Sequence, residues 1–207
     1  MLKTDRFVSS RTTSTDRSVY MSSEMPVSAG KPTSPRDRIL DVAGPLFYKD
    51  GYRAIGIDRV IAEADVAKAT FYRHFPSKDA LIVAWIDRAE ARFDAALPPE
   101  DGPAPLTAYA DAMIDIASRA HCLGCTYQSS AAEFGDPAHP AHAAALGVKT
   151  RVMDALERRA RNQGLAPPRA KAEQVFLLLE GVWASVRMFG PKAPLSHAKA
   201  AVRALLA

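Results

Sequence analysis

Apolar residues in this chain recur every three or four positions rather than every second one, which predicts helices throughout. Ile39, Leu40, Ala43, Leu46 and Phe47 mark the first helix, with Ser34 as its cap and Pro35 as its first residue. Gly44-Pro45 lies inside that pattern. Because Pro45 removes the hydrogen bond to the Asp41 carbonyl, a kink is expected there. Asp50-Gly51 ends the helix, with Gly51 suited to a left-handed cap. Ile57, Val60, Ile61 and Ala64 form the next apolar face, opened by Gly56. After a turn, Phe71 and Phe75 share one side of a short helix and are assigned to the core.

Beyond Phe75-Pro76, Ser77 caps a longer helix whose stripe is Ile82, Trp85, Ile86, Ala89 and Phe93, and Asp79 complements its N-terminal dipole. The proline-rich residues 98–103 break the chain. Leu106, Tyr109, Met113, Ile116 and Ala120 mark another helix, followed by the irregular His121-Cys122-Leu123-Gly124-Cys125. Helices are then expected at 126–134, 140–163, 169–188 and 196–206, separated by glycine and proline. No segment alternates with period two over a useful length. The fold class is all-α, with about nine helices.

Composition narrows the picture. Of 207 residues, 48% are apolar, enough for a sizeable core. Residues 1–30 are rich in Ser and Thr and poor in large apolar groups, so a disordered tail is expected there. A net charge of +4 is only mildly basic, so any nucleic-acid footprint must be local. Two cysteines are too few for a disulfide framework, which fits a reducing compartment. No apolar stretch reaches the ~20 residues of a membrane span, and no secretory leader is visible. A cytoplasmic protein without a membrane partner is expected. Catalytic fingerprints such as Gly-x-Ser-x-Gly, His-Glu-x-x-His or a phosphate-binding loop are missing, which argues against an enzyme, and no cofactor is expected.

The chemistry concentrates in the second short helix. Its exposed positions are assigned to Ala67, Lys68, Ala69, Thr70, Tyr72, Arg73 and His74, with Lys78 just beyond. Cations, a phenol and small residues on one side and apolar rings on the other suit the major groove of double-stranded DNA. Lys68 can reach a guanine edge, and Ala69 lets the backbone approach. Thr70 can offer its methyl to thymine or its hydroxyl to phosphate. Tyr72, Arg73, His74 and Lys78 are better placed for phosphates, which fix register without reading sequence. His74 has the alternative of packing against Tyr52 or Phe75.

Phe71-Tyr72-Arg73-His74-Phe75-Pro76-Ser77-Lys78-Asp79-Ala80-Leu81, with Gly51-Tyr52, Ile57, Val60-Ile61-Ala62 and Val66 upstream, resembles the tetracycline-repressor (TetR) family of bacterial transcription regulators. The likeness is close over this stretch. Elsewhere it rests on helix count and order, although 125–140, with Gly-Cys and Ala-Ala-Glu-Phe-Gly-Asp-Pro, looks like one branch of the family. Two positions depart from the pattern: Asp65 stands where Gly is usual, and Ala67 where Ser or Thr is usual. Losing that hydroxyl removes a helix cap and a phosphate contact.

The resemblance implies a homodimeric repressor that leaves a near-palindromic operator when a small-molecule effector of unknown identity binds. It also implies a head at 31–77 and an effector-binding and dimerisation body at 78–207. Trp85, Phe93, Tyr109, Met113, Gln128, Glu133, Phe134 and Met153 are the side chains able to line an effector pocket, with Glu133 near Gln128 as its polar pair. The penultimate helix is apolar over a wide arc. Val175, Leu178, Leu179, Val182, Trp183 and Val186, with Val202 and Leu205 of the last helix, are therefore expected at a four-helix dimer seam. Burial inside one subunit is the alternative.

Cys122 and Cys125, with His139 and His142 downstream, are assigned to packing rather than to a metal or a thiol switch. Two other functions stay open: a small-molecule-binding dimer with a degenerate DNA head, and a thiol-based regulator using Cys122 and Cys125.

Overall fold

Ser34 Oγ accepts the Asp37 N–H at 3.1 Å and donates to the Asp37 carboxylate at 2.7 Å, so the first helix starts on a reciprocal cap. The computed structural model describes residues 34–99 and 102–207; the tail expected at 1–30 lies outside them. Nine α-helices and no strand occur among the described residues. They are α1 (Pro35–Asp50), α2 (Ile57–Glu63), α3 (Lys68–His74), α4 (Lys78–Asp94), α5 (Leu106–Ala117), α6 (Thr126–Glu133), α7 (Pro140–Asn162), α8 (Pro168–Phe189) and α9 (Ala198–Leu206). A 3₁₀ turn, Gly190–Lys192, separates the last two. The all-α class holds, and the breaks fall at the glycines and prolines that the sequence marks.

Helix α1 runs through Pro45, which lies on its exposed side where solvent can reach the freed Asp41 carbonyl. The opposite side carries the packing. Ile39, Leu40, Ala43 and Phe47 are buried, and the Trp85 indole of α4 lies against Gly44 so closely that a Cβ there would sit 2.2 Å from Trp85 Cζ3. Arg88 of α4 then reaches back to α1, donating to Asp41 Oδ1 at 2.6 Å and to the Asp37 carbonyl at 3.3 Å. Gly51 closes α1 through its N–H on the Phe47 carbonyl. Its φ of 89° is paired with a ψ of 159°, so the backbone leaves extended rather than in the left-handed helical cap expected.

Helices α7 and α8 form the long antiparallel centre of the remaining bundle, with α5 and α9 packed on α8 and α4 and α6 on α7. In this arrangement most of the residues expected at the dimer seam face inward. Val175, Leu179, Val182, Trp183, Val186 and Val202 are between 0 and 6% exposed, buried among α5, α7 and α9 of their own subunit. Leu178 and Leu205 are only half-buried. Helix α8 is apolar on two sides, and the bulkier, β-branched stripe turned inward, where it removes more surface from water. The other stripe is left on the surface: Leu177 is 69% and Met188 76% exposed, with Gly181 and Ala184 between them.

The Gly44–Trp85 contact is testable. Gly44→Ala forces the indole out of its place and should lower unfolding free energy by roughly 1–3 kcal/mol. Trp85→Leu, which frees space beside residue 44, should make the same Gly44→Ala change less costly. Equal losses from Gly44→Ala in both backgrounds, measured by urea denaturation, would show that the contact is not what demands glycine.

Candidate nucleic-acid interface

Helices α2 and α3 are short and are held by what they bury. Val60 of α2, Ala64 just past its end and Phe71 of α3 enter the core with Phe75, and the Phe71 and Phe75 rings lie 6.0 Å apart. Between the helices, Asp65 takes φ 49°, the one positive φ at a non-glycine residue among those described. Arg38 Nη2 donates to its carbonyl at 3.4 Å. Helix α3 starts at Ala67 with no side-chain cap, so its seven residues owe their shape to tertiary packing rather than to their own ends.

The outer side of α3 agrees with the sequence pattern. Ala67, Lys68, Ala69, Tyr72 and Arg73 are exposed, and Thr70 is half-buried. Lys68 Nζ is 3.3 Å from Asp58 Oδ1, with both side chains more than half exposed, so the pair is easily opened. Tyr72 stands edge-on to Phe71 at 5.3 Å, which fixes the ring while leaving 43% of the residue exposed. His74 is half-buried and tilted against Phe75 at 6.5 Å. Lys78 donates to the Arg53 carbonyl at 3.2 Å, and desolvation lowers its pKa from the usual lysine value. Of the eight residues assigned to DNA, this one is engaged in tying the start of α4 to the α1–α2 turn.

Glu133 has a role that sequence reasoning missed. Its two carboxylate oxygens accept the Tyr52 N–H at 2.9 Å and the Arg53 N–H at 2.7 Å, while Arg53 Nε donates to the Glu133 carbonyl at 2.8 Å. The other end of α6 holds the same turn, with Tyr52 Oη at 2.6 Å from Thr126 Oγ1. Burial pushes the Tyr52 phenol up to about 12, so it stays protonated. Tyr48 adds a further tie: its hydroxyl accepts the Leu123 N–H and donates to the Gly124 carbonyl, each at 2.8 Å. The only sequence trace of this clasp was Gly51, where a Cβ would sit 3.0 Å from Glu133 Oε1.

The eight residues assigned to an effector pocket turn to different neighbours. Gln128 Nε2 donates to the Glu180 carboxylate at 2.9 Å, away from Glu133. Phe134 stacks on His139 at 4.2 Å, and Trp85 is spent on Gly44. Phe93 meets Trp183 edge-on at 6.2 Å, Met113 is buried, and Met153 packs half-buried against the core. Tyr109 lines a cavity of about 190 Å³ between α4, α5 and α7. Glu133 and Gln128, expected as the polar pair of a pocket, point to different neighbours.

Cys125 is buried, and its sulfur caps α6 by accepting the Gln128 N–H at 3.5 Å; burial raises its thiol pKa. Cys122, half-buried, lies 3.6 Å from Tyr48 Oη. His142 Nδ1 is 2.7 Å from the Phe134 carbonyl. Among the described residues no three His, Cys, Asp or Glu side chains converge as metal ligands, and no helix is long and apolar enough to cross a membrane.

A helix-turn-helix with its second helix exposed, set on a helical bundle, defines the class of helical DNA-binding regulators. Residues 39–85 match the family described as bacterial regulatory proteins, tetR family. A TetR-family transcriptional regulator from Streptomyces coelicolor is 32% identical, with a TM-score of 0.77 over 83% of this chain and 94% of its own. A putative regulator of the same kind from Streptomyces avermitilis is 30% identical, with a TM-score of 0.75 over 84% and 97%. Among curated relatives, the transcriptional repressor KstR of Mycobacterium tuberculosis is 45% identical over 60 residues, 29% of this chain and 27% of its own. KstR of Rhodococcus jostii is 38% identical over 87 residues, 42% of this chain and 41% of its own. The chain thus spans less than half the length of the curated repressors it matches, and the likeness to them centres on the head. The chain belongs to the TetR family of transcriptional regulators.

Removing the Glu133 clasp should be costly. Glu133→Gln keeps the shape but puts an NH2 donor where one accepting oxygen was, so one N–H loses its acceptor and the other bond loses its charge, an expected loss of about 1–3 kcal/mol. Glu133→Ala should lose more by leaving the Tyr52 and Arg53 N–H groups unmet. An unchanged urea midpoint for both variants would show that the clasp contributes nothing to stability.

Proposed function

We propose that the protein is a homodimeric repressor whose α3 helices read two half-sites of an operator and let go when a small molecule binds the body. The division is a DNA-binding head at 31–77 on an effector-binding and dimerisation body at 78–207. The observation that carries the reading is the outer side of α3, where Lys68, Ala69, Thr70, Tyr72 and Arg73 stand out from a helix anchored by Phe71 and Phe75. Lys68 and Thr70 take the base edges, and Tyr72 and Arg73 the phosphates. A single such helix binds only weakly at physiological salt, near the ~10⁻⁴–10⁻⁶ M of non-specific contacts. Two heads on one two-fold axis, spaced by a groove repeat of about 34 Å, act together.

The exposed side of α8 supports the dimer. Leu177, Gly181, Ala184 and Met188 lie on one line along the helix, and Phe189 is 56% exposed beside them. A Cβ at Gly181 would meet nothing within 4 Å, so its own subunit does not require glycine there. Glycine in a helix interior costs about 1 kcal/mol relative to alanine. A second helix packed close against this line gives that cost a reason. Exposed Ala200, Ala201 and Ala204 of α9 extend the same kind of surface. The clasp of Glu133, Tyr52 and Tyr48 supports ligand response, because any movement of α6 displaces the α1–α2 turn of the head.

Two measurements test the reading. Lys68→Ala should cost roughly 1–3 kcal/mol and relax base preference at one position of each half-site, whereas Tyr72→Phe should weaken all sequences alike. Selected operator DNA unchanged in sequence and affinity for Lys68→Ala would remove it from base reading. Separately, Leu177→Glu with Met188→Glu should give a folded monomer that has lost operator affinity. A monomer by sedimentation that binds palindromic DNA as tightly as the parent would sink the dimer.

A further inference from the structure

We infer that the cavity between α4, α5 and α7 is a binding site for a compact carboxylate, with Arg159 as its anchoring cation. This names the ligand class for the ligand-response reading above and rests on it. Arg159 of α7 is 3% exposed, an unusual place for a guanidinium. Its Nη2 donates to the carbonyls of Pro98 at 3.1 Å and Pro99 at 2.8 Å, and its plane lies over the Tyr109 ring at 4.2 Å. Nε and Nη1 are buried and have no hydrogen-bond partner among the described residues. A buried charge is normally matched by an opposite charge, because desolvating it alone is costly.

Among the described residues, the acids nearby are committed elsewhere. Glu90, on the cavity wall, is held by both Arg151 Nε and Nη2 at 2.5 Å, and Asp154 lies 3.8 Å from Arg169. The cavity holds about 190 Å³, below the ~300–1,000 Å³ of drug-sized sites, so the ligand is small. Leu97, Val152, Ala155 and the Tyr109 ring offer it apolar wall, and Arg159 a cation with two nitrogens still to satisfy. Glu90 is paired with Arg151 and Asp154 with Arg169, so Arg159 calls for one added negative charge rather than the two of a phosphate dianion. One carboxylate on a short apolar or aromatic body matches both the size and the charge.

The position also gives the ligand something to act on. Helix α4 starts at Lys78, bonded to the α1–α2 turn, and runs about 25 Å to Asp94 at the cavity. Trp85 and Arg88 fasten its middle to α1. A molecule wedged under the far end of α4 bears on the head through one stiff element.

The test titrates the full chain with sodium benzoate, hexanoate and octanoate, and with the neutral benzamide and hexanamide, by calorimetry and thermal shift. At least one carboxylate should saturate and bind about tenfold or more tightly than its amide. Arg159→Met should abolish that preference. Ala155→Leu, which fills the cavity and keeps Arg159, should block binding while the fold persists. The parent's Arg159 Nε–H resonance should shift on titration, a readout that needs no variant. Equal binding of acid and amide, binding that survives Arg159→Met and Ala155→Leu, or no saturation by any carboxylate up to ~10 mM overturns the site. Operator release is measured apart. A carboxylate that binds through Arg159 without loosening DNA supports the site and removes the ligand-release reading. Release by neutral molecules indifferent to Arg159 and Ala155, with no carboxylate saturating, overturns the site and leaves ligand release in place.

Discussion

The Glu133 carboxylate, accepting two successive backbone N–H groups just past the end of α1, is the contact on which the joining of head and body depends. The chain leaves α1 through Gly51 in an extended path with positive φ, which side chains rarely adopt. That path presents the Tyr52 and Arg53 N–H groups to one acceptor. A Cβ at position 51 would crowd the acceptor that meets them. Helix α6, at eight residues, is too short to hold itself, and its ends are fixed from outside: the Cys125 sulfur caps one, and the head takes the other. Each partner therefore stabilises the other, and neither conformation is set by local preference.

A second tie runs through α4. Trp85 lies flat on the glycine gap in α1, and Arg88 binds Asp41. One joint is apolar and insensitive to salt; the other is a partly exposed ion pair that screening weakens. The two ties differ in stiffness. Packed rings resist displacement because interiors are close-packed, while hydrogen bonds at the α6 joint can re-form after a small slide. A body that shifts α6 against α1 while α4 stays anchored would rotate the head about the Trp85 contact rather than translate it.

Most of the helices were legible because caps, glycines and prolines act locally and each names its own position. Ser34, Pro35, Ser77 and Gly164 need no knowledge of the fold to do so. The exposed side of α3 was legible for a related reason, since burying Phe71 and Phe75 fixes which positions face outward. Judgement of faces failed where a helix has two apolar sides. In α8, the Val175–Leu179–Val182–Val186 line and the Leu177–Gly181–Ala184–Met188 line both satisfy helical spacing, and only the packing of α5, α7 and α9 decides between them. The neighbours of the residues assigned to a pocket were less legible still. Spacing tells which residues share a helix, not that Gln128 turns to Glu180 while Glu133 turns to Tyr52. Arg159, the buried cation at the cavity, looked like any charge near the end of a long helix.

The departures at Asp65 and Ala67 take on a definite meaning once α3 is seen to lack ends of its own. Asp65 holds a left-handed φ at a cost of roughly 1–2 kcal/mol, and Ala67 forgoes a cap worth typically ~1 kcal/mol. Neither loss unmakes the helix, because Phe71 and Phe75 are fully buried, each side chain contributing about 1.5–3 kcal/mol. The margin is narrow. The reading helix is kept in place by two rings and by the turn that Lys78 and Glu133 fasten, so its order is coupled to the same contacts that join head to body. Loosening those contacts lowers the stability of α3 as well as changing its orientation. For the proposed operator release this leaves two routes, fraying of α3 at its uncapped start and movement of the head as a rigid piece.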